Sequence, residues 1–288
     1  MAREQEILVL IILTKNDMIN RNIPNESSFN SPFRGLGGRI KRIVLPLALL
    51  LLVINATAQK VSVTAAADLR YAMDEIVVAY KKVNPKSDIK VTYGSSGNAY
   101  QQIINGAPYD IYFSADIMYP NKLKAQGLTA SNPKLYAIGF IVLWSNQIDV
   151  SKGLSSLNDP GIKKIAIANP DHAPYGKRAE ESLKFYKMYD ALKSKLIMGE
   201  NISQAAQFAQ TGNAEVGILA LSLVLSPAMK NQGKYFLIDS NSYSPLEQAY
   251  VIIKKPTVNT ETYKFAKFMT TPTARAIYKS YGFKLPGE

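Results

Sequence analysis

The stretch "DIKVTYGSSGNAYQQIIN", residues 88–105, changes its periodicity in the middle. Residues 88–93 alternate polar and apolar side chains, as a half-buried strand does. Residues 98–105 space their apolar side chains as a short helix does, and Gly106 stops it. Between them lie Gly94, Ser95, Ser96, Gly97 and Asn98, two hydroxyls and two glycines at a strand-to-helix junction. A strand, a loop of small residues and a helix form the repeating unit of an α/β fold.

Outward from this stretch the unit recurs. "KVSVTAA" (60–66) reads as a strand, and Leu69, Ala72, Met73, Ile76, Val77 and Tyr80 then fall at helical spacing until Pro85. Further strands are expected at 110–115, 136–145, 163–169, 214–219, 234–239 and 249–255, with "YAIGFIVLWS" (136–145) as one long strand. Helices are expected at 177–189, 202–210 and 257–270. The alternation predicts α/β architecture with mostly parallel sheets. In such sheets ligands bind beyond the carboxyl ends of the strands, where helix starts present unpaired N–H groups. Four junctions carry small or hydroxyl residues there: "TAAADL" (64–69), "YGSSGNA" (93–99), "NPDHAPYGK" (169–177) and "GENIS" (199–203). Their recurrence makes "GSSGN" one wall of a site built from several helix starts.

The first part of the chain has a different character. "RIKR" (39–42), the apolar run "IVLPLALLLLVI" (43–54) and "ATA" (56–58) have the order of a secretory signal peptide, with cleavage expected after Ala58. Twelve apolar residues fall short of the roughly 20 that a membrane span needs. Residues 1–38 fit no signal peptide and are expected to be an upstream extension outside the fold. Removing the seven Lys/Arg and four Asp/Glu of residues 1–58 leaves 27 basic against 18 acidic residues, an excess of +9. The lysines are spread and lack an Arg-rich helix or an aromatic stacking pattern, so no nucleic-acid partner is expected. A diffuse positive field steers anions.

The candidates for chemistry are few. With no cysteine and one histidine, thiolate chemistry and a cation site of the zinc type are not expected. Ser95 and Ser96 suit a helix cap. The nucleophile elbow G-x-S-x-G is missed because Asn98 stands at its second glycine, and no P-loop follows. A secreted hydrolase would have to pair Ser96 with His172, the only imidazole. The 17 tyrosines include no adjacent pair of the kind a ferric site would use.

Six ordered elements carry a resemblance: "VSVTAAADLRYAMDEI" (61–76), "VTYGSSGNAYQQIINGAPYDIYFSAD" (91–116), "IANPDHAPYGKRAEESL" (167–183), "GENISQAA" (199–206), "AEVGILALS" (214–222) and "ARAIYKSYGFKL" (274–285). Together they resemble the periplasmic molybdate-binding proteins of ABC transporters. The resemblance implies a type II periplasmic-binding-protein fold, with lobe one at 59–138 plus 246–288 and lobe two at 139–245. Molybdate or tungstate would be held in the cleft as a tetrahedral oxyanion, by a monomer that delivers it to a membrane permease, with no cofactor and no catalysis. The family's contact positions fall on Asp68, Ser96, Tyr175 and Ile202, the last through its backbone N–H, with Ser95 and Ala220 as further candidates. Asp68 stands where many relatives have Ser or another neutral polar residue. A carboxylate facing a dianion is repelled, so Asp68 is expected to cap the helix that starts at Leu69. Ala220 matches a position that is Tyr in some members. Another oxyanion such as sulfate is the alternative ligand.

Overall fold

The computed structural model describes residues 60–288. The extension expected at 1–38 and the signal peptide expected at 39–58 lie outside the described residues. Among the described residues no helix is long and apolar enough to cross a membrane.

Two five-stranded sheets organise the chain. The first contains β1 (Lys60–Ala66), β2 (Asp88–Gly94), β3 (Ile111–Ser114), β4 (Lys134–Gly139) and β10 (Leu246–Ile252), in the order β2-β1-β3-β10-β4. The second contains β5 (Ile141–Ser145), β6 (Ile165–Ala168), β7 (Leu196–Gly199), β8 (Val216–Ala220) and β9 (Lys234–Leu237), in the order β7-β6-β8-β5-β9. Each sheet has four strands running together and one reversed, β10 in the first and β5 in the second. The reversal follows from the route of the chain. β4 ends at the same edge of the sheet as the carboxyl ends of β1, β2 and β3, and the chain then enters the second sheet at Ile141, opposite Ala220 at the carboxyl end of β8. A strand entering from that end must run against the rest. β10 repeats the step on the way back, with Leu246 opposite Gly139.

The crossing corrects one expectation. Residues 136–145 form two strands that break at Phe140 and pair in different sheets. Their apolar pattern is continuous because both halves are buried, and periodicity alone carries no sign of the change of partner.

Helices α1 (Arg70–Val83), α2 (Ser96–Ile104) and α3 (Met118–Ala125) follow strands of the first sheet. α4 (Pro174–Phe185), α5 (Tyr189–Leu192), α6 (Ile202–Gln210) and α7 (Leu221–Val224) follow strands of the second, and α8 (Thr260–Phe268) and α9 (Pro272–Ser280) end the chain. α1 buries Ala72, Met73, Ile76 and Tyr80, the helical stripe read from the sequence, and the Tyr80 hydroxyl donates to Glu261 of α8 at 2.6 Å. The helix expected at 177–189 begins earlier, at Pro174, and stops at Phe185. Lys187 adopts φ 55°, which no helix continues through.

Each sheet has its own apolar core. Val61, Val63, Ile76, Phe113, Phe265 and Tyr278 pack in the first, and Leu143, Trp144, Ile167, Leu183 and Ile218 in the second. The second core also includes Ala66, Ala67 and Ala115 from the carboxyl edge of the first sheet, so the two lobes are in contact along that edge. α4 starts hard against the end of β6. A Cβ at Gly176 would lie 2.0 Å from the carbonyl oxygen of Ala168 and 2.6 Å from its carbon. These are backbone atoms that cannot swing away. Gly176→Ala is therefore expected to destabilise the fold by about 3 kcal/mol, read from the urea midpoint. An unchanged midpoint would show that the helix start moves freely.

Candidate functional site

The carboxyl ends of the two sheets face each other, and the loops beyond them meet along one seam. At its centre is the turn after β1, a single 3-10 turn over Ala67–Leu69. Asp68 is 1% exposed. Its Oδ2 accepts two hydrogen bonds, from Gln248 Nε2 at 2.6 Å and from the Tyr175 hydroxyl at 3.0 Å. Gln248 Nε2 also donates to the Tyr175 hydroxyl at 3.1 Å, while Gln248 Oε1 accepts from the Tyr136 hydroxyl at 2.7 Å. The Tyr136 bond fixes which way the amide of Gln248 points. Oδ1 of Asp68 is buried with no hydrogen-bond partner of normal geometry.

Burial therefore dominates the acidity of Asp68. Desolvation raises its pKa to about 6, and the hydrogen bonds from Gln248 and Tyr175 oppose the rise only in part. The Tyr175 phenol is pushed well above its ordinary value by burial first and by the nearby carboxylate second, so it is neutral. The expected cap is not the main bond of Asp68: its Oδ2 turns across the seam to Tyr175 and Gln248, and the main-chain N–H groups of Asp68 and Leu69 add only smaller opposition to the rise.

Two serines clamp the same turn from the second lobe. Ser203 donates its hydroxyl to the carbonyl of Ala67 at 3.1 Å, and Ser222 donates to the carbonyl of Asp68 at 2.8 Å. Each lies close to an expected contact position. Ile202 is the first residue of α6, where the Asn201 side chain caps Ser203 and Gln204 and leaves the N–H of Ile202 outside the cap. Ala220, fully buried, ends β8 two residues before Ser222 and presents no hydroxyl.

The loop of the opening stretch forms the other end of the seam. Ser96 is the first residue of α2 and 1% exposed. Its Oγ accepts the N–H of Ala115 at 2.9 Å, which leaves the hydroxyl proton to donate elsewhere. Ser95 stands at the N-cap position without making a cap bond, so the capping role considered for it is not the one observed. Its Oγ lies 2.9 Å from Nδ1 of His172, across the seam. The Gly97 N–H donates to the His172 carbonyl at 2.8 Å, and Asn98 Nδ2 donates to Glu200 Oε1. A Cβ at Gly97 would lie 2.7 Å from that carbonyl oxygen, so glycine serves the approach of the two lobes here. Gly94 lies in open space, with no close approach of its own. The Ser96–His172 pair that a hydrolase needs is not formed. Ser95 takes that place, and Nε2 of His172 is 3.8 Å from Glu200, beyond hydrogen-bond range.

The structure thus brings Asp68 and Tyr175 into direct contact, while Ser96 and Ile202 open α2 and α6, Ser95 immediately precedes α2 and Ala220 ends β8. Sequence reasoning missed Gln248, Ser203 and Ser222. Gln248 did leave a trace, as a polar residue within the apolar run of β10, where it is fully buried.

The ionisation of Asp68 has a consequence for stability. A carboxyl whose folded pKa is about 6, against about 4 unfolded, leaves folding unpenalised below pH 4. The penalty grows between pH 4 and 6 and levels off above 6 at about 2–3 kcal/mol, its value at pH 7.5. Asp68→Asn mimics the protonated acid and never ionises. It is expected to melt above the wild type at pH 7.5, with the gap closing toward pH 4. A gap independent of pH would contradict this assignment.

Comparisons with known proteins agree with the architecture. The model of the bacterial extracellular solute-binding protein family matches residues 61–284. The molybdate-binding protein ModA of Azotobacter vinelandii is 34% identical over 248 residues, covering 85% of this chain and 98% of that protein. The solved A. vinelandii periplasmic molybdate-binding protein superposes with a TM-score of 0.74 at 32% identity, over 78% of this chain and 99% of that one. The substrate-binding domain of a putative molybdenum ABC transporter from Clostridium difficile superposes at 0.59 with 30% identity, over 78% and 98%. A two-lobed fold with its polar groups gathered between the lobes, matched over this length, is that of a solute carrier: the chain belongs to the bacterial extracellular solute-binding protein family.

Proposed function

We propose that the chain captures molybdate or tungstate between its lobes, outside the cytoplasmic membrane, and delivers it to the permease of an ABC transporter. In this reading it is a monomeric periplasmic carrier with no catalytic step. The observation that carries the proposal is the kind of group gathered at the seam. The Ser96 hydroxyl and the Ile202 N–H are neutral donors, each at the first residue of a helix, and the neutral Tyr175 hydroxyl stands at the same seam with its proton on Asp68 Oδ2. Neutral donors at helix starts suffice for a dianion. Four to five charge-assisted bonds of roughly 1.5–3 kcal/mol each supply about 6–15 kcal/mol gross. Micromolar to nanomolar binding needs about 8–12 kcal/mol.

The named relatives support this ligand over sulfate, since those of 30–34% identity carry molybdate or molybdenum in their descriptions and align over nearly their full length. The hydrolase reading loses its basis with the Ser96–His172 pair.

Calorimetric titration of residues 59–288 with molybdate, tungstate and sulfate tests the ligand. Molybdate or tungstate is expected to bind and to raise the melting temperature, and sulfate to do so far less. Equal responses to sulfate would move the assignment to a general oxyanion carrier. Ser96→Ala is expected to weaken binding about ten- to a hundredfold, by loss of one charge-assisted bond. It also orphans the buried N–H of Ala115, so stability should fall by about 1–3 kcal/mol. Affinity is therefore measured on the folded variant. Wild-type affinity in that variant would remove Ser96 from the site.

A further inference from the structure

Asp68 is out of place among neutral donors. It is buried, it forms no ion pair among the described residues, and an oxyanion brought to this seam would meet its charge. The groups facing it can be named element by element. From β10 comes the amide of Gln248, from α4 the phenol of Tyr175, and from β4 the phenol of Tyr136, one bond further out. From α6 and α7 come the hydroxyls of Ser203 and Ser222, both directed to main-chain carbonyls. On α1 the guanidinium of Arg70 stacks on the ring of Tyr93, with its centre 4.8 Å from the ring centroid. None of these contacts neutralises the carboxylate.

The hydrogen bonds also decide where a proton can sit. Oδ2 already accepts from Gln248 and Tyr175, and the amide of Gln248 is held in its donating orientation by Tyr136. Oδ1 has no partner. A proton on this carboxyl therefore belongs on Oδ1, where it turns a buried acceptor into a donor. That exchange removes the buried charge of Asp68 and adds one donor of the kind a dianion needs.

We propose that Asp68 is a specificity-determining residue that makes oxyanion capture proton-linked: one proton from solvent enters the complex with each dianion and lies between Asp68 Oδ1 and a ligand oxygen. The balance is protein plus dianion plus one proton, giving a complex in which no bond of the oxyanion is broken. This linkage presupposes that the seam binds an oxyanion, as proposed above. Because Asp68 of the free protein titrates near pH 6, it is largely ionised above pH 7 and must take up the proton on binding. Affinity then falls as pH rises, by about tenfold per unit above pH 7.

The test is calorimetric titration of the wild-type protein with sodium molybdate, in Tris and in HEPES, from pH 7 to 8.5. The two buffers release a proton with different enthalpies, so uptake of one proton appears as a buffer-dependent heat. Expected are about one proton taken up per molybdate at pH 8 and the tenfold-per-unit slope. Asp68→Asn should bind with no buffer dependence and a flat pH profile. Buffer-independent heat with molybdate bound would overturn the linkage and leave the carrier function standing. Wild-type proton uptake in Asp68→Asn would also overturn it, since the proton would then lie elsewhere. A wild-type protein that binds neither molybdate nor tungstate would overturn both proposals. If Asp68→Asn does not fold, the wild-type heats alone decide.

Discussion

The chain crosses from one sheet to the other and back, and the rest of the molecule depends on where it does so. Both crossings leave from the carboxyl ends of strands, one at Phe140 and one before Leu246. That placement turns the two carboxyl edges toward each other, reverses β5 and β10, and aims the helix starts of both lobes at one seam. The N–H groups at those starts lack partners within their own helices. Some are met by the opposite lobe, as Gly97 is by the carbonyl of His172. The N–H of Ile202, at the start of α6, stays outside its cap.

Local pattern made most of this architecture legible. The strand and helix of 88–105, the buried stripe of α1 and the whole of α6 follow from periodicity and breakers. What stayed hidden has a physical reason in each case. The break at Phe140 is invisible because both halves of the segment are equally apolar, and only the partner changes. β7, with the sequence LIMG, is too short and too exposed to show an alternation. At the site, the family resemblance singled out Asp68, Ser96 and Tyr175. The direction of a side chain depends on atoms far away in the sequence. Asp68 is expected from the sequence to turn away from the dianion onto its neighbouring amides, yet its side-chain partners are 107 and 180 residues distant.

The seam mixes two electrostatic strategies. Neutral hydroxyl and amide dipoles are fixed by their own hydrogen-bond partners, as Ser96 Oγ is by the N–H of Ala115, and so need little rearrangement to meet an anion. A buried carboxylate beside them works in the opposite direction. Two unit charges 4 Å apart repel by about 4 kcal/mol near a protein surface, and a dianion doubles that. Such a residue persists only where its charge is controlled, and here desolvation and an unpartnered oxygen both favour the neutral form.

The bonds from Ser203 and Ser222 end on the carbonyls of Ala67 and Asp68, which every amino acid carries. The grip of the second lobe on this turn is therefore indifferent to the side chains at positions 67 and 68. A descendant can exchange the residue at 68 and retain the same lobe-to-lobe contact. Selection can then change what the side chain at position 68 presents to the seam without rebuilding the contact between the lobes.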